Sequence, residues 1–166
     1  SAGAGYLLGA GADYISYLLA TEEISGACAS LGLTYDAHIA LGIAPIYYFG
    51  SEEQKNKYLP ELCSGEYLGS MGLTEPEAGT DSGNTKTTAV PQGDGWLING
   101  SKCFITNAKY SKVVTVTAIT EKGKGTRGIS TFLVPVESAG FEIRSGYEKL
   151  GMNSSNTNEL FFDNVS

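Results

Sequence analysis

The sequence predicts an α+β chain: a helical segment over residues 1–69, then an antiparallel β domain closed into a small barrel over residues 70–166. Three observations carry this. Apolar residues recur at helical spacing in the first third. From position 86 onward, short runs of β-branched and aromatic residues are separated by Gly- and Asn-rich turns. The charge changes as well: residues 1–69 hold eight acids and two lysines, residues 70–166 ten acids and nine bases. Such a shift in composition places a domain boundary near position 70.

Taken in order, residues 13–31 (DYISYLLATEEISGACASL) put Ile15, Leu18, Leu19 and Gly26 near one helix face, interrupted by Glu22, with Gly32 as the stop. Residues 34–49 continue as a second helical piece with a kink near Pro45. Ser51 and Gln54 form a capping box that starts a short helix over EEQKNKYL, which Pro60 interrupts or restarts, and Gly65 closes the helical part. In the second part KTTAV, the Gly93-Asp94-Gly95 turn and WLI read as a hairpin. Asn99-Gly100 reads as a further turn before KCFIT. In KVVTVTAIT, Val114, Val116 and Ala118 face one way, Thr115 and Thr117 the other. Residues 121–128 are a Gly/Lys-rich loop, and ISTFLVPV, FEIR and ELFFDNV are the remaining strands. Many short strands separated by turns imply a barrel or sandwich.

Composition narrows the function classes. With 42% apolar residues the chain can build a core, and only 17% are charged. Low charge together with 10 Tyr and 22 Gly implies much surface made for partners, a cofactor or further chain. A net charge of −7 argues against nucleic acid, which calls for a basic stripe. Cys28, Cys63 and Cys103 are far apart and outside CxxC spacing, which reads as three reduced thiols rather than a disulfide or zinc site. His38 is the one histidine, so metal chemistry is not expected, and a lone helical His is given no catalytic role. No run approaches the ~20 apolar residues of a membrane span. The start, SAGAGYLLGAGAD, lacks the basic region of a signal peptide and reads as the middle of a longer chain. Its Gly3, Gly5, Gly9 and Gly11 lack the spacing and the preceding strand of a dinucleotide-binding loop.

Two segments suit a flat polar ligand. In residues 71–83, MGLTEPEAGTDSG, Pro76 holds Glu75 extended, Gly79 permits close approach, and Thr80, Asp81 and Ser82 bring hydroxyls and free amides to the turn. In KCFITN, residues 102–107, Phe104 and Thr106 fall on one face of a strand, a ring that packs beside a hydroxyl that donates. Taken singly, the first segment reads better as an ordinary polar loop and the second as a core Phe beside a surface Thr.

Taken together and in order, these motifs resemble the acyl-CoA dehydrogenase family. LTEPEAGTD (residues 73–81), INGSKCFITN (98–107) and KLGMNSSNTNELFFDNV (149–165) are similar to three of its signatures, and the helical part is similar to the end of its N-terminal domain. With Phe in place of the commoner Trp at position 104, the chain looks most like the short-chain, butyryl-CoA dehydrogenases. The resemblance implies FAD as cofactor, an acyl-CoA thioester as substrate, an electron-transfer flavoprotein as electron acceptor and a homo-oligomeric parent enzyme. Its location would be the bacterial cytoplasm, or the mitochondrial matrix in a eukaryote. Residues 1–69 would be the end of the N-terminal helical domain and residues 70–166 the flavin-binding middle domain.

The same resemblance implies site residues. Met71, Leu73 and Thr74 would meet the pyrimidine edge of the flavin, and Gly79 and Thr80 the pyrophosphate and the thioester. Phe104 would pack on the flavin face, with Ile105 and Thr106 beside N5. Leu33, Thr34 and Ala37 would line the acyl pocket. Two departures are expected to matter. Asn153 stands where the third signature has Arg. The carboxylate that takes the α-proton belongs to a C-terminal helical domain, so no catalytic residue is assigned here, Glu75 and Glu77 included. An acyl-CoA oxidase or flavin monooxygenase of the same fold, or a non-catalytic acyl-CoA or flavin-binding module, are the rival readings. Reactivity of the reduced enzyme with oxygen separates the first pair, a downstream carboxylate the last.

Overall fold

The computed structural model describes residues 12–144 and 146–166, so the glycines near the start lie outside the described residues. Among the described residues four α-helices come first: α1 (Tyr14–Ala27), α2 (Ala29–Asp36), α3 (Ala44–Phe49) and α4 (Glu52–Ser64), with a π-helical segment, Ala37–Ile43, joining α2 to α3. Asp13 caps α1 by accepting from the Ser16 N–H at 2.8 Å. The break expected at Gly32 falls instead at Cys28, which turns extended. Gly32 lies inside α2, where a Cβ would stand 2.0 Å from Ser25 Oγ; its absence lets the two helices meet.

The kink expected near Pro45 takes the form of the π segment just upstream. Pro45 sits in the first turn of α3, and the Ala44 N–H reaches back to Ile39 O, one residue further than an α-helix allows. Pro60 neither stops nor restarts α4, which runs through it from a capping box at Ser51 and Gln54 (2.9 and 3.2 Å) to Gly65 at φ 76°.

Seven strands follow: β1 (Ser70–Gly72), β2 (Thr88–Gln92), β3 (Gly95–Thr106), β4 (Val113–Ile119), β5 (Ile129–Pro135), β6 (Phe141–Arg144) and β7 (Thr157–Val165). They make one sheet in the order β1-β4-β2-β3-β7-β6, with β5 on β4. Here the expectation of an antiparallel barrel is corrected: the sheet is mixed and does not close. β1 and the first residue of β2 both pair with β4 in parallel, while β2–β3, β3–β7, β4–β5 and β6–β7 are antiparallel. A strand has two edges, so β5 takes one edge of β4 while β1 and β2 share the other. Both faces of β4 are covered, and Thr115 and Thr117 are buried along with Val114 and Val116.

The turn expected at Asn99-Gly100 is also corrected. β3 runs through it for twelve residues with a bulge against β7, and Gly100, at φ 149°, leaves no room for a Cβ beside Thr87. The sheet core gathers Ala89, Ile98, Ile105, Val114, Val116, Leu160 and Phe162 among others. A second core, with Ile43, Ile46, Leu59, Leu62 and Val113, joins the helices to β4.

Candidate functional site

The loop after β1 is tied to β3 by a buried ion pair. The Lys102 side chain is wholly buried, as is all but 3% of Glu75. Lys102 Nζ donates to Glu75 Oε1 at 2.8 Å and lies within 3.2–3.3 Å of Leu73 O, Thr85 Oγ1 and Thr117 Oγ1. Glu75 also accepts from the Thr85 hydroxyl and from the Lys86 and Thr87 N–H groups at 2.5 and 3.1 Å. Burial alone would raise the Glu75 carboxyl, but the donors from Lys102, Thr85, Thr87 and Lys86 outweigh it and hold the group at about 2. Burial pulls Lys102 down from lysine's ordinary value against the attraction of Glu75. With four oxygens around Nζ, the ammonium is the form this pocket holds.

β3 bends out of register opposite β7 between Lys102 and Ile105. There Phe104 takes φ 59°, a left-handed conformation unusual for an aromatic residue. Two successive residues, Lys102 and Cys103, turn inward, and alternation then resumes with Phe104 exposed, Ile105 buried and Thr106 half-buried. The Phe104 ring, 62% exposed, is flanked by Tyr147 with centroids 4.8 Å apart. The Tyr147 hydroxyl donates to Glu159 at 2.8 Å, and burial followed by that carboxylate pushes the phenol up to about 12.

Where β3 ends, Asn107 joins the sheet to the helices. It is fully buried at φ 69°, and its amide donates to Thr34 O at 3.0 Å and Gly69 O at 3.3 Å. The Gly69 N–H donates to His38 Nδ1 at 2.8 Å, so both polar groups of one glycine are held by side chains from opposite sides. Gly69 and Gly42 pack backbone to backbone; a Cβ on Gly42 would stand 2.3 Å from Gly69 Cα. His38 accepts through Nδ1, and burial keeps it below histidine's usual range, so it is a neutral joint.

The expected site residues divide between these features. Leu73 and Thr74 lie on the strapped loop, and the Thr74 N–H makes no hydrogen bond within the described chain. Its carbonyl accepts from Cys103 N–H at 2.9 Å, which brings this loop beside the bulge that carries Phe104. Met71 is half-buried in β1, while Gly79 and Thr80 are exposed, with open space around Gly79. The Ile105 side chain is in the sheet core, so only its backbone is available to a ligand. On the helical side Thr34 is linked to the sheet through Asn107; Leu33 is exposed and Ala37 buried. Asn153 is exposed in the turn before β7, whose start is closed by Lys149 donating to Ser155 O and Thr157 Oγ1.

Lys102, Tyr147, Asn107 and His38 were not legible as site-building residues, because each acts through a partner distant in sequence. The arrangement has the features of a cradle for a flat heteroaromatic group: an exposed ring held outward on a strained backbone, an amide without a partner among the described residues, and a hydroxyl two residues from the ring. It has the means to bind and orient. Its buried carboxylate, Glu75, is locked in an ion pair.

Comparison with known proteins shows the family. Residues 70–165 match the family model described as the acyl-CoA dehydrogenase middle domain, and residues 6–66 the model for the N-terminal domain. A probable acyl-CoA dehydrogenase of Bacillus subtilis is 52% identical over 158 residues, 95% of this chain and 42% of that protein. The structure of butyryl-CoA dehydrogenase from Megasphaera elsdenii is similar with a TM-score of 0.88 at 42% identity, over 92% of this chain and 40% of that one. A glutaryl-CoA dehydrogenase from Mycobacterium smegmatis in complex with FADH2 gives 0.88 at 38% identity, over 94% and 39%. The chain thus spans about two-fifths of the length of the relatives it matches.

Proposed function

The chain belongs to the acyl-CoA dehydrogenase family, and from that premise we propose that it forms one wall of the FAD and acyl-CoA site of an enzyme that dehydrogenates acyl-CoA thioesters at the α,β position. Residues 1–69 are read as the end of the helical domain and residues 70–166 as the flavin-binding domain. The observation that carries the reading is the pairing of a Thr74 N–H without a partner among the described residues with the outward-held Phe104 ring, on two segments that hydrogen-bond each other.

When bound, FAD supplies the hydride acceptor. Phe104 packs on the ring, and the Thr106 hydroxyl and the backbone of Met71, Leu73, Thr74 and Ile105 meet its polar edges. Gly79 and Thr80 approach the pyrophosphate and thioester. Leu33, Thr34 and Ala37 form the acyl side, held to the flavin side by Asn107. The α-proton goes to a carboxylate outside residues 1–166, the electrons to an electron-transfer flavoprotein. The M. elsdenii relative favours a short acyl chain. The parent enzyme is read as a homo-oligomer, cytoplasmic in a bacterium or in the mitochondrial matrix of a eukaryote.

The test is anaerobic mixing of the full-length protein with butyryl-CoA. The bound flavin is expected to bleach, and air is expected to restore it slowly. A protein isolated without flavin, or a flavin that no acyl-CoA bleaches, contradicts the reading; rapid reoxidation by air makes it an oxidase. The isolated chain is expected to retain little FAD and to turn over no acyl-CoA.

A further inference from the structure

We infer that Lys102 is a positioning residue that tunes the redox balance of the flavin through the peptide group joining Leu73 to Thr74. The inference rests on the proposed flavin site and goes one layer behind it. Lys102 is wholly buried and stands behind the loop, with its ammonium donating to Leu73 O at 3.2 Å. The other end of that peptide group is the Thr74 N–H, which has no partner in the described chain. A cation on the carbonyl oxygen draws electron density from the amide nitrogen and makes its N–H a stronger donor. The next peptide group is held as well, Thr74 O accepting from Cys103 N–H at 2.9 Å, so Thr74 is fixed on both sides. A methionine would fill much the same space without the cost of burying an ion pair.

Reduction of a flavin places negative charge on its pyrimidine edge. A donor strengthened from behind holds the reduced ring more tightly than the oxidised one. Glu75 opposes this, because its carboxylate shares the same ammonium at 2.8 Å. The two members of the pair therefore pull the flavin in opposite directions, although both are needed to hold the loop.

The experiment uses the full-length flavoprotein, with the reduced-to-oxidised flavin ratio read against a reference dye at equilibrium. In Lys102→Met/Glu75→Gln, which removes both charges at similar volume, the ratio is expected to fall about tenfold at a given potential, about 30 mV for a two-electron couple. In Glu75→Gln alone, read at mildly acidic pH so that the buried Lys102 keeps its proton without the attraction of Glu75, the ammonium stays on Leu73 O and the opposing carboxylate is gone, so the ratio is expected to rise. Simple loosening of the loop moves both variants the same way, so opposite signs are the signature. Equal directions, or no change in either flavin-loaded variant, overturn the inference. If the double variant does not fold, Glu75→Gln decides alone: a rise supports the inference, a fall or no change overturns it. A parent protein without flavin overturns the site reading and this inference together, whereas a flavin-loaded parent with unmoved variants overturns the inference only.

Discussion

The sheet and the first helix treat their apolar residues in opposite ways. Strands β3, β4 and β7 bury Ile105, Val114, Val116, Leu160 and Phe162 against one another, and the sheet closes its own core. Helix α1 buries only Tyr17, whose hydroxyl donates to Asp36, and leaves Ile15, Leu18 and Leu19 at 62%, 44% and 57% exposure. Apolar residues recur in both regions; among the described residues, only in the sheet does the chain supply the surface that covers them. Periodicity shows which face is apolar, and the partner of that face is a separate fact. A contiguous exposed apolar patch marks an interaction surface.

Truncation should separate the regions most strongly. Leu160→Ala, at a wholly buried site, is expected to cost about 2–5 kcal/mol in urea denaturation of the chain. Leu19→Ala is expected to stay within about 0.5 kcal/mol. Equal costs would break the comparison. The joint between the regions should come next. Asn107→Ala deletes the donors to Thr34 O and Gly69 O and is expected to cost about 1–3 kcal/mol. Hydrogen exchange should then quicken at the π segment before the sheet, and uniform quickening would deny the joint its role.

pH sharpens the contrast with the least effect near neutrality. His38 is held below its unfolded value, so the unfolded chain takes the proton first. Its contribution is complete above about 6.5, the ordinary histidine value, and is lost as pH falls below that toward the depressed folded value. Glu75 is held at about 2 against an ordinary 4.5, so its contribution is complete above 4.5 and is lost between there and 2. On acidification the helix–sheet joint should therefore loosen before the sheet interior, and His38→Gln should remove the earlier phase. A single transition common to both regions would contradict this.

What was legible in the sequence was chemistry between near neighbours. The Ser51–Gln54 box, the Gly65 stop and the Gly93-Asp94-Gly95 hairpin each depend on residues within a turn of one another. What was illegible depended on distant partners. β1 is three residues, Ser-Met-Gly, and is a strand because β4 lies beside it in parallel. Asn99-Gly100 has the composition of a turn, but pairing of Asn99 with β2 and of Gly100 with β7, across a bulge, overrides it. Within the site, Phe104 and Thr106 stood out as residue types, while Lys102 did not, because its ion-pair partner is 27 residues away. The open, mixed sheet was missed for the same reason as β1.

The central claim is that the loop carrying Thr74 and the bulge carrying Phe104 and Thr106 together form the flavin wall. It is tested most directly by comparing Phe104→Leu and Thr106→Val in the full-length protein. Phe104→Leu removes ring packing and is expected to lose FAD on gel filtration. Thr106→Val keeps the shape and removes one hydrogen bond worth about 0.5–1.5 kcal/mol. It is expected to retain FAD and to reduce it roughly tenfold more slowly in stopped flow. If Phe104→Leu keeps its flavin and Thr106→Val reduces as fast as the parent, the bulge is ordinary sheet edge and the wall lies elsewhere.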